Sequence, residues 1–184
     1  MGISAETYER VALEDPHGNW ELVCGRLRQK PYMTNAHDHS ARLLVNSLSR
    51  QLDPAEFVPD QNTAKLRSPS GSYFIPDACV LPAAPVRRAL AERPRELGVF
   101  DDPLPLVVEV WSPSTGGYDL GEKLRGYQER GDREIWLIHP DERTLTAWRK
   151  RADGSYGEMV FAGDAIIEPA ALAGVRIALA ALFA

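Results

Sequence analysis

One segment constrains this chain more than any other. Pro105-Leu-Val-Val-Glu-Val-Trp111 is almost continuously apolar, interrupted by a single carboxylate. A run of that kind predicts a central strand covered on both faces. Alternation places Val107, Glu109 and Trp111 on one face and Leu106, Val108 and Val110 on the other. The fold must therefore bury a sheet between two layers and also supply Glu109 with a cation or a proton, because an ionised and unpaired carboxylate among apolar side chains is costly. A structural ion pair, or an edge position for the glutamate, would meet the same demand.

Asp77 poses the question again. In Phe74-Ile-Pro-Asp-Ala-Cys-Val-Leu81 it shares a strand face with Ile75 and Cys79, although Pro76 could instead place it at a bend where it accepts backbone hydrogen bonds. Two acids on two neighbouring strands suit a hard divalent cation, which takes one or two carboxylates and completes its shell with water and phosphate oxygens. Lys123 follows Glu109 by 14 residues. Placed in the first turn of a helix that Asp119 and Glu122 could cap, it can aim an ammonium back at the acids, or it can simply form an i,i+4 surface pair with Asp119. His37-Asp-His39 opens a longer helix. Spacing of two does not put both imidazoles on one face, so a zinc pair is not expected and at most one histidine points inward. Glu21, between Trp20 and Leu22, reads alone as a solvent-facing strand residue.

The surrounding pattern places these residues on elements. A short acidic helix covers 4–15, and a hairpin joins Trp20–Cys24 to Arg26–Tyr32. Residues Ala41, Leu44, Val45, Leu48 and Leu52 mark a helix from His37. Strands follow at 57–67, 74–81 and 105–111, with a Pro/Arg-rich loop over 82–104. A helix from Asp119 ends at Gly131, a strand covers 134–139, a hairpin pairs 144–150 with 155–161, and an apolar tail closes the chain. The order is αβββαβ with antiparallel additions, a mixed α/β sheet with helices against it. With 184 residues we expect one domain, 1–184, with its core at about 36–140, an N-terminal helix and hairpin at 4–32 and a C-terminal hairpin and tail at 144–184.

Composition excludes other classes. At 44% hydrophobic and 26% charged the chain is neither disordered nor collagen-like, and Cys24 and Cys79 are too few to staple it and lack zinc-site spacing, so they read as buried thiols. The acidic N-terminus does not resemble a signal peptide, and no apolar run approaches the ~20 residues of a membrane span, so a cytoplasmic location without membrane contact is expected. A net charge of -5 does not suggest a nucleic-acid binder globally. Residues 20–52, however, hold Arg26, Arg28, Lys30, Arg42 and Arg50 against Glu21 and Asp38, a local +3, and Arg149-Lys150-Arg151 forms a second basic group. The plain alternative for both is solvated surface.

Taken together, WELVCGRL at 20–27, His39 before a helix, FIPDACVL at 74–81, PLVVEVWSPST at 105–115, DLGEKLRGY at 119–127 and REIWLIHPDERTLTAWR at 133–149 closely resemble the Uma2 (DUF820) family. These are endonucleases of the PD-(D/E)xK, restriction-endonuclease-like superfamily, and the resemblance runs over about residues 8–183. It implies an αβββαβ core, Asp77 as the strand aspartate and Glu109 as the acid of the (D/E)xK element. The superfamily lysine two residues on is here Trp111, so the resemblance implies a migrated lysine, Lys123, with Glu21 and His39 lining the same site.

The favoured expectation is metal-dependent hydrolysis of DNA phosphodiester bonds. Asp77, Glu109, the Val110 carbonyl and His39 would hold Mg²⁺ or Mn²⁺, and Lys123 would position the nucleophile. DNA contact would be weak and salt-sensitive, and a homodimer would pair two sites for double-strand cutting. The rival is a nuclease-fold protein of weak or no turnover that binds nucleic acid or protein, favoured by Trp111 at the lysine position. A serine hydrolase finds little support, since Ser112 and Ser114 sit in no GxSxG elbow.

Overall fold

The computed structural model describes residues 2–15, 17–31, 34–113 and 119–184, without the side chains of Asp119 and Leu120. Helix α1 (Ala5–Glu14) starts at Ser4, whose hydroxyl accepts the Thr7 amide, and is followed by the hairpin β1 (Trp20–Val23) and β2 (Arg26–Gln29). Thr34 caps helix α2 (Asn35–Gln51) in the same way through the His37 amide. Next come β3 (Phe57–Asp60), β4 (Lys65–Arg67), β5 (Tyr73–Phe74), β6 (Ala78–Pro82), helix α3 (Ala83–Glu92), β7 (Val99–Phe100) and β8 (Leu106–Val110). A π-helical turn (Asp119–Lys123) leads into α4 (Leu124–Arg130). Strands β9 (Glu134–His139), β10 (Thr144–Lys150), β11 (Tyr156–Ala162), β12 (Ile166–Ile167) and β13 (Ile177–Ala178) precede a 3₁₀ turn, Leu179–Phe183.

Two sheets carry the fold. The larger runs β11-β10-β9-β8-β6-β3 and the smaller β2-β1-β5-β4-β7, with β12 and β13 a separate pair. Among the described residues of the larger sheet only β8 and β9 are parallel, which obliges the chain to cross over between them, and α4 lies on that crossover. β8 sits centrally, as its apolar run requires. Leu106, Val108 and Val110 pack with Ala41, Leu44 and Leu48 of α2 and with Leu179 and Leu182 of the tail. Val107, on the opposite face, joins Leu66 and Phe74 of the smaller sheet and Tyr127 of α4. Helix α1 covers the smaller sheet through Tyr8 and Ala12 against Leu22 and Tyr73. The tail thus packs onto the body through Leu179 and Leu182.

Several sequence expectations change. The single strand over 57–67 is two strands in different sheets, because Asp60 turns the chain by accepting the Thr63 and Ala64 amides (3.1 and 2.9 Å) and Asn62 takes φ 58°. The strand over 74–81 likewise divides, with β5 in the smaller sheet and β6 in the larger. Segment 82–104 is not a plain loop: the alanines at 83, 84, 89 and 91 sustain α3, whose Pro85 falls in the first turn where proline is tolerated, and β7 pairs parallel to β4. The cap expected from Asp119 falls on a side chain outside the described residues. Both cysteines are free, and Cys79 is buried with its thiol pushed well up by desolvation, but Cys24 is exposed in the β1–β2 turn at φ 49°.

Two features fix α4 against the sheets. Gly131 ends it at φ 78°, the left-handed conformation glycine adopts without penalty. Gly126 lets it approach closely, since a Cβ there would lie 2.2 Å from Phe74 Cε2. Exchange of Gly126 for alanine is therefore expected to push α4 off the smaller sheet and cost about 1–3 kcal/mol of stability, read from the urea midpoint. An unchanged midpoint would contradict this packing.

Candidate active site

The division between β5 and β6 leaves Ile75-Pro76-Asp77 crossing from one sheet to the other, and the bend's backbone is satisfied by side chains rather than by a ladder. The Ile75 amide donates to Glu21 Oε1 (2.7 Å), while its carbonyl accepts from Lys30 Nζ (2.8 Å) and Lys123 Nζ (3.2 Å). Glu21, Lys30 and Lys123, from three different segments, thus meet at the backbone of one residue.

Asp77 is not in a strand but at the end of this bend, with no exposure to solvent. Ala78 pairs with Val108, so Asp77 falls beside Glu109, and its Oδ2 accepts the Val110 amide at 2.7 Å. The same oxygen pairs with His37 Nε2 at 2.8 Å; a carboxylate only accepts, so Nε2 carries the proton. Oδ1 lies 2.7 Å from the Lys30 ammonium, yet that contact lacks hydrogen-bond geometry, and among the described residues Oδ1 and His37 Nδ1 have no hydrogen-bond partner. Burial alone would push the Asp77 carboxyl up. The Lys30 charge, the His37 hydrogen bond and, less strongly, Lys123 outweigh it and hold the group well below the usual carboxylate range.

Glu109 is served from the crossover. Lys123, 1% exposed, reaches both of its oxygens (3.1 and 3.2 Å) and Glu21 Oε1 at 3.0 Å, and the Tyr127 hydroxyl donates to Glu109 Oε1 at 2.5 Å. Lys123 closes the π-helical turn and Tyr127 follows four residues on in α4, so one helical segment supplies both. π-Helical turns recur at functional sites. The result is three buried carboxylates, Glu21, Asp77 and Glu109, facing two buried ammonium ions, Lys30 and Lys123.

This donor set fits a hard divalent cation in part of its shell. The two acids called as ligands are adjacent, both are oxygen donors, and Asp77 Oδ1 is a buried oxygen that among the described residues has the Lys30 ammonium beside it but no hydrogen bond. Among the described residues no group of three His, Cys, Asp or Glu side chains could hold a metal, so water and phosphate oxygens would have to complete the coordination, as Mg²⁺ commonly requires.

Of the residues called from sequence, Asp77, Glu109, Lys123 and Glu21 come together. His39 does not: its Nε2 lies 2.7 Å from the Ala184 carbonyl oxygen and its Nδ1 2.9 Å from Arg42. The inward histidine is His37, because the Thr34 cap sets the phase of α2 and two residues rotate the helix by about 200°. Trp111, two residues after Glu109, stacks on His139 with ring centroids 4.1 Å apart. Lys30, His37 and Tyr127 were missed. Lys30 enters the sequence reading only in a basic stretch, and Tyr127 only as the last residue of DLGEKLRGY.

The sequence profile of the Uma2 family, described as "Putative restriction endonuclease", matches residues 5–180. Among solved structures, the fold is similar to that of a protein titled a putative nuclease belonging to DUF820 from Anabaena variabilis, at 20% identity and TM-score 0.73, over 89% of each chain. No curated protein matches.

The Asp77 contacts make a pH-dependent expectation. Exchange of Asp77 for asparagine leaves Lys30 without its buried counterion and is expected to cost about 3–5 kcal/mol at pH 7. A depressed carboxyl stabilises the folded state above its unfolded value, about pH 4, and that stability is lost as pH falls through the folded value. The gap between wild type and variant, measured by urea unfolding, should therefore narrow on going from pH 7 to pH 3. A constant or widening gap would contradict it.

Proposed function

The chain belongs to the Uma2 family, and from that premise we propose that it hydrolyses phosphodiester bonds in DNA with Mg²⁺ or Mn²⁺. Asp77 and Glu109, with the Val110 carbonyl, would hold the ion. When bound, such an ion supplies Lewis-acid stabilisation of phosphate charge and makes a coordinated water more acidic. The observation that carries the reading is Lys123: 14 residues from Glu109 in sequence, its ammonium lies within 3.2 Å of both Glu109 oxygens. This supports an acid–lysine pair of the kind that Trp111 precludes two residues after the acid. Lys123 would orient the attacking water and steady charge developing on the phosphorane. Glu21, Ile75 and Tyr127 fix Lys123 and Glu109, and His37 fixes Asp77, so that few rotamers need be frozen when substrate arrives.

The surroundings suit a modest electrostatic contact with DNA. Arg26, Arg28, Arg42 and Arg50 are exposed on β2 and α2, the elements that deliver Lys30 and His37. Arg149 of the second basic group instead pairs with buried Glu134 at 2.9 Å. No described helix is long and apolar enough to cross a membrane. Cutting both strands calls for two sites related by a twofold, and light scattering tests for the dimer this requires. The burial of Asp77, Glu109 and Lys123 is the observation that favours the rival, a binding module without turnover.

Nicking of supercoiled plasmid by pure protein in Mn²⁺ distinguishes the two. Wild type is expected to nick, with loss in chelator and in the Glu109→Ala and Lys123→Met variants. Activity equal to wild type in both variants would overturn the assignment. Among the histidines, His37→Ala should lower the rate about 10- to 100-fold, the usual effect of removing a group that orients a ligand. His39→Ala should leave it close to wild type, and the reverse order would return His39 to the site.

A further inference from the structure

Lys30 is a second cation at the candidate site, and no step above uses it. Its ammonium donates to Asn62 Oδ1 (2.6 Å) and to the Ile75 carbonyl (2.8 Å), and it approaches Asp77 Oδ1 at 2.7 Å without hydrogen-bond geometry. Its contact with the aspartate is thus one of charge alone. Among the described residues the three carboxylates and two ammonium ions together carry one negative charge in excess, the His37 imidazole aside. Adding a divalent cation with both lysines in place would carry it to one positive charge in a buried setting, whereas departure of one ammonium restores neutrality. Uncompensated buried charge is costly enough for that difference to matter.

The structure also distinguishes the two lysines. Lys123 is 1% exposed and held by Glu21, both oxygens of Glu109 and the Ile75 carbonyl. Lys30 is 7% exposed and lines a cleft of about 220 Å³ that the Asp77 side chain does not border. That cleft is also lined by Asn19, Gln29, Asp38 and Asn62, residues whose side chains carry acceptor oxygens. The Lys30 backbone is tied by its amide to the Asn19 carbonyl (3.0 Å), so its ammonium can turn from the aspartate into the cleft by side-chain rotation with the chain in place.

We propose that Lys30 is an exchangeable counterion: its ammonium neutralises Asp77 while no metal is bound and withdraws into the adjacent cleft when a divalent cation is loaded. The inference rests on the reading of Asp77 and Glu109 as ligands. Lys30 is then a positioning residue that preserves a buried carboxylate in its charged form and sets the affinity of the site for metal.

Calorimetric titration with Mn²⁺, paired with thermal melting, tests this on wild type and Lys30→Met. The variant removes the competing charge, keeps the length of the side chain and leaves the Ile75 carbonyl bonded to Lys123. It should bind Mn²⁺ about tenfold more tightly or better. Its Tm should lie below wild type without Mn²⁺, and saturating Mn²⁺ should raise it by more than it raises wild type. Equal or weaker binding, or a Tm deficit that Mn²⁺ does not narrow, would overturn the proposal and leave Lys30 a structural residue. If neither protein binds Mn²⁺, the ligand reading itself fails and the proposal with it; if both bind with the same Kd, only the proposal fails. Should Lys30→Met not fold, Lys30→Gln removes the same charge while retaining an amide donor for Asn62.

Discussion

Asp77 is a carboxylate with no exposure, and it can stay charged there because groups from three remote parts of the chain reach it: Lys30 after β2, His37 in the first turn of α2 and the Val110 amide of β8. Each contact also ties an element to the bend between the two sheets. The hairpin, the long helix and the central strand therefore converge on one side chain. Ile75 extends the arrangement, since its carbonyl receives both lysines and its amide holds Glu21.

A buried network of this kind is poor as a source of net stability, because desolvating the ions offsets much of their attraction. Its physical value is preorganisation. In a medium of low effective dielectric, fixed ammonium and carboxylate groups act more strongly on a developing charge than they would in water, and they need not reorganise when the charge appears. The same property makes the residues hard to dissect: removing one partner exposes the others to the full penalty of burial, so changes in folding and changes in chemistry have to be measured side by side. Tyr127 illustrates the economy of the design, since its ring fills the core between the sheets while its hydroxyl holds Glu109.

Much of this was legible in the sequence where a residue violated its own pattern. Glu109 and Asp77 stood out because acids interrupt apolar runs, and the β8 alternation assigned the two cores correctly. The helix over 37–52, the crossover helix ending at Gly131 and the β10–β11 hairpin followed from periodicity and turn residues. Misses have equally particular causes. A lysine in a basic stretch carries no mark of burial, so Lys30 was invisible until the fold brought Asn62, Ile75 and Asp77 around it. The choice between His37 and His39 depends on helix phase, which the Thr34 cap sets and which shifts with the starting residue. The break at 61–64 arises from side-chain acceptors that local propensity does not weigh, whereas the bend at 75–77, with Asp77 accepting a backbone amide, is the alternative that Pro76 offers in the sequence; α3 was obscured by the prolines and arginines around its alanines.

The central claim is that Asp77 and Glu109 form one divalent-cation site with Lys123 beside it. The most direct measurement is diffraction from crystals soaked in Mn²⁺, with data collected for the manganese anomalous signal. An anomalous peak bridging the Asp77 and Glu109 carboxylates, with Lys123 still paired to Glu109, is expected. Anomalous density confined to other acids, with Asp77 and Glu109 retaining only their lysine partners at saturating Mn²⁺, would contradict it.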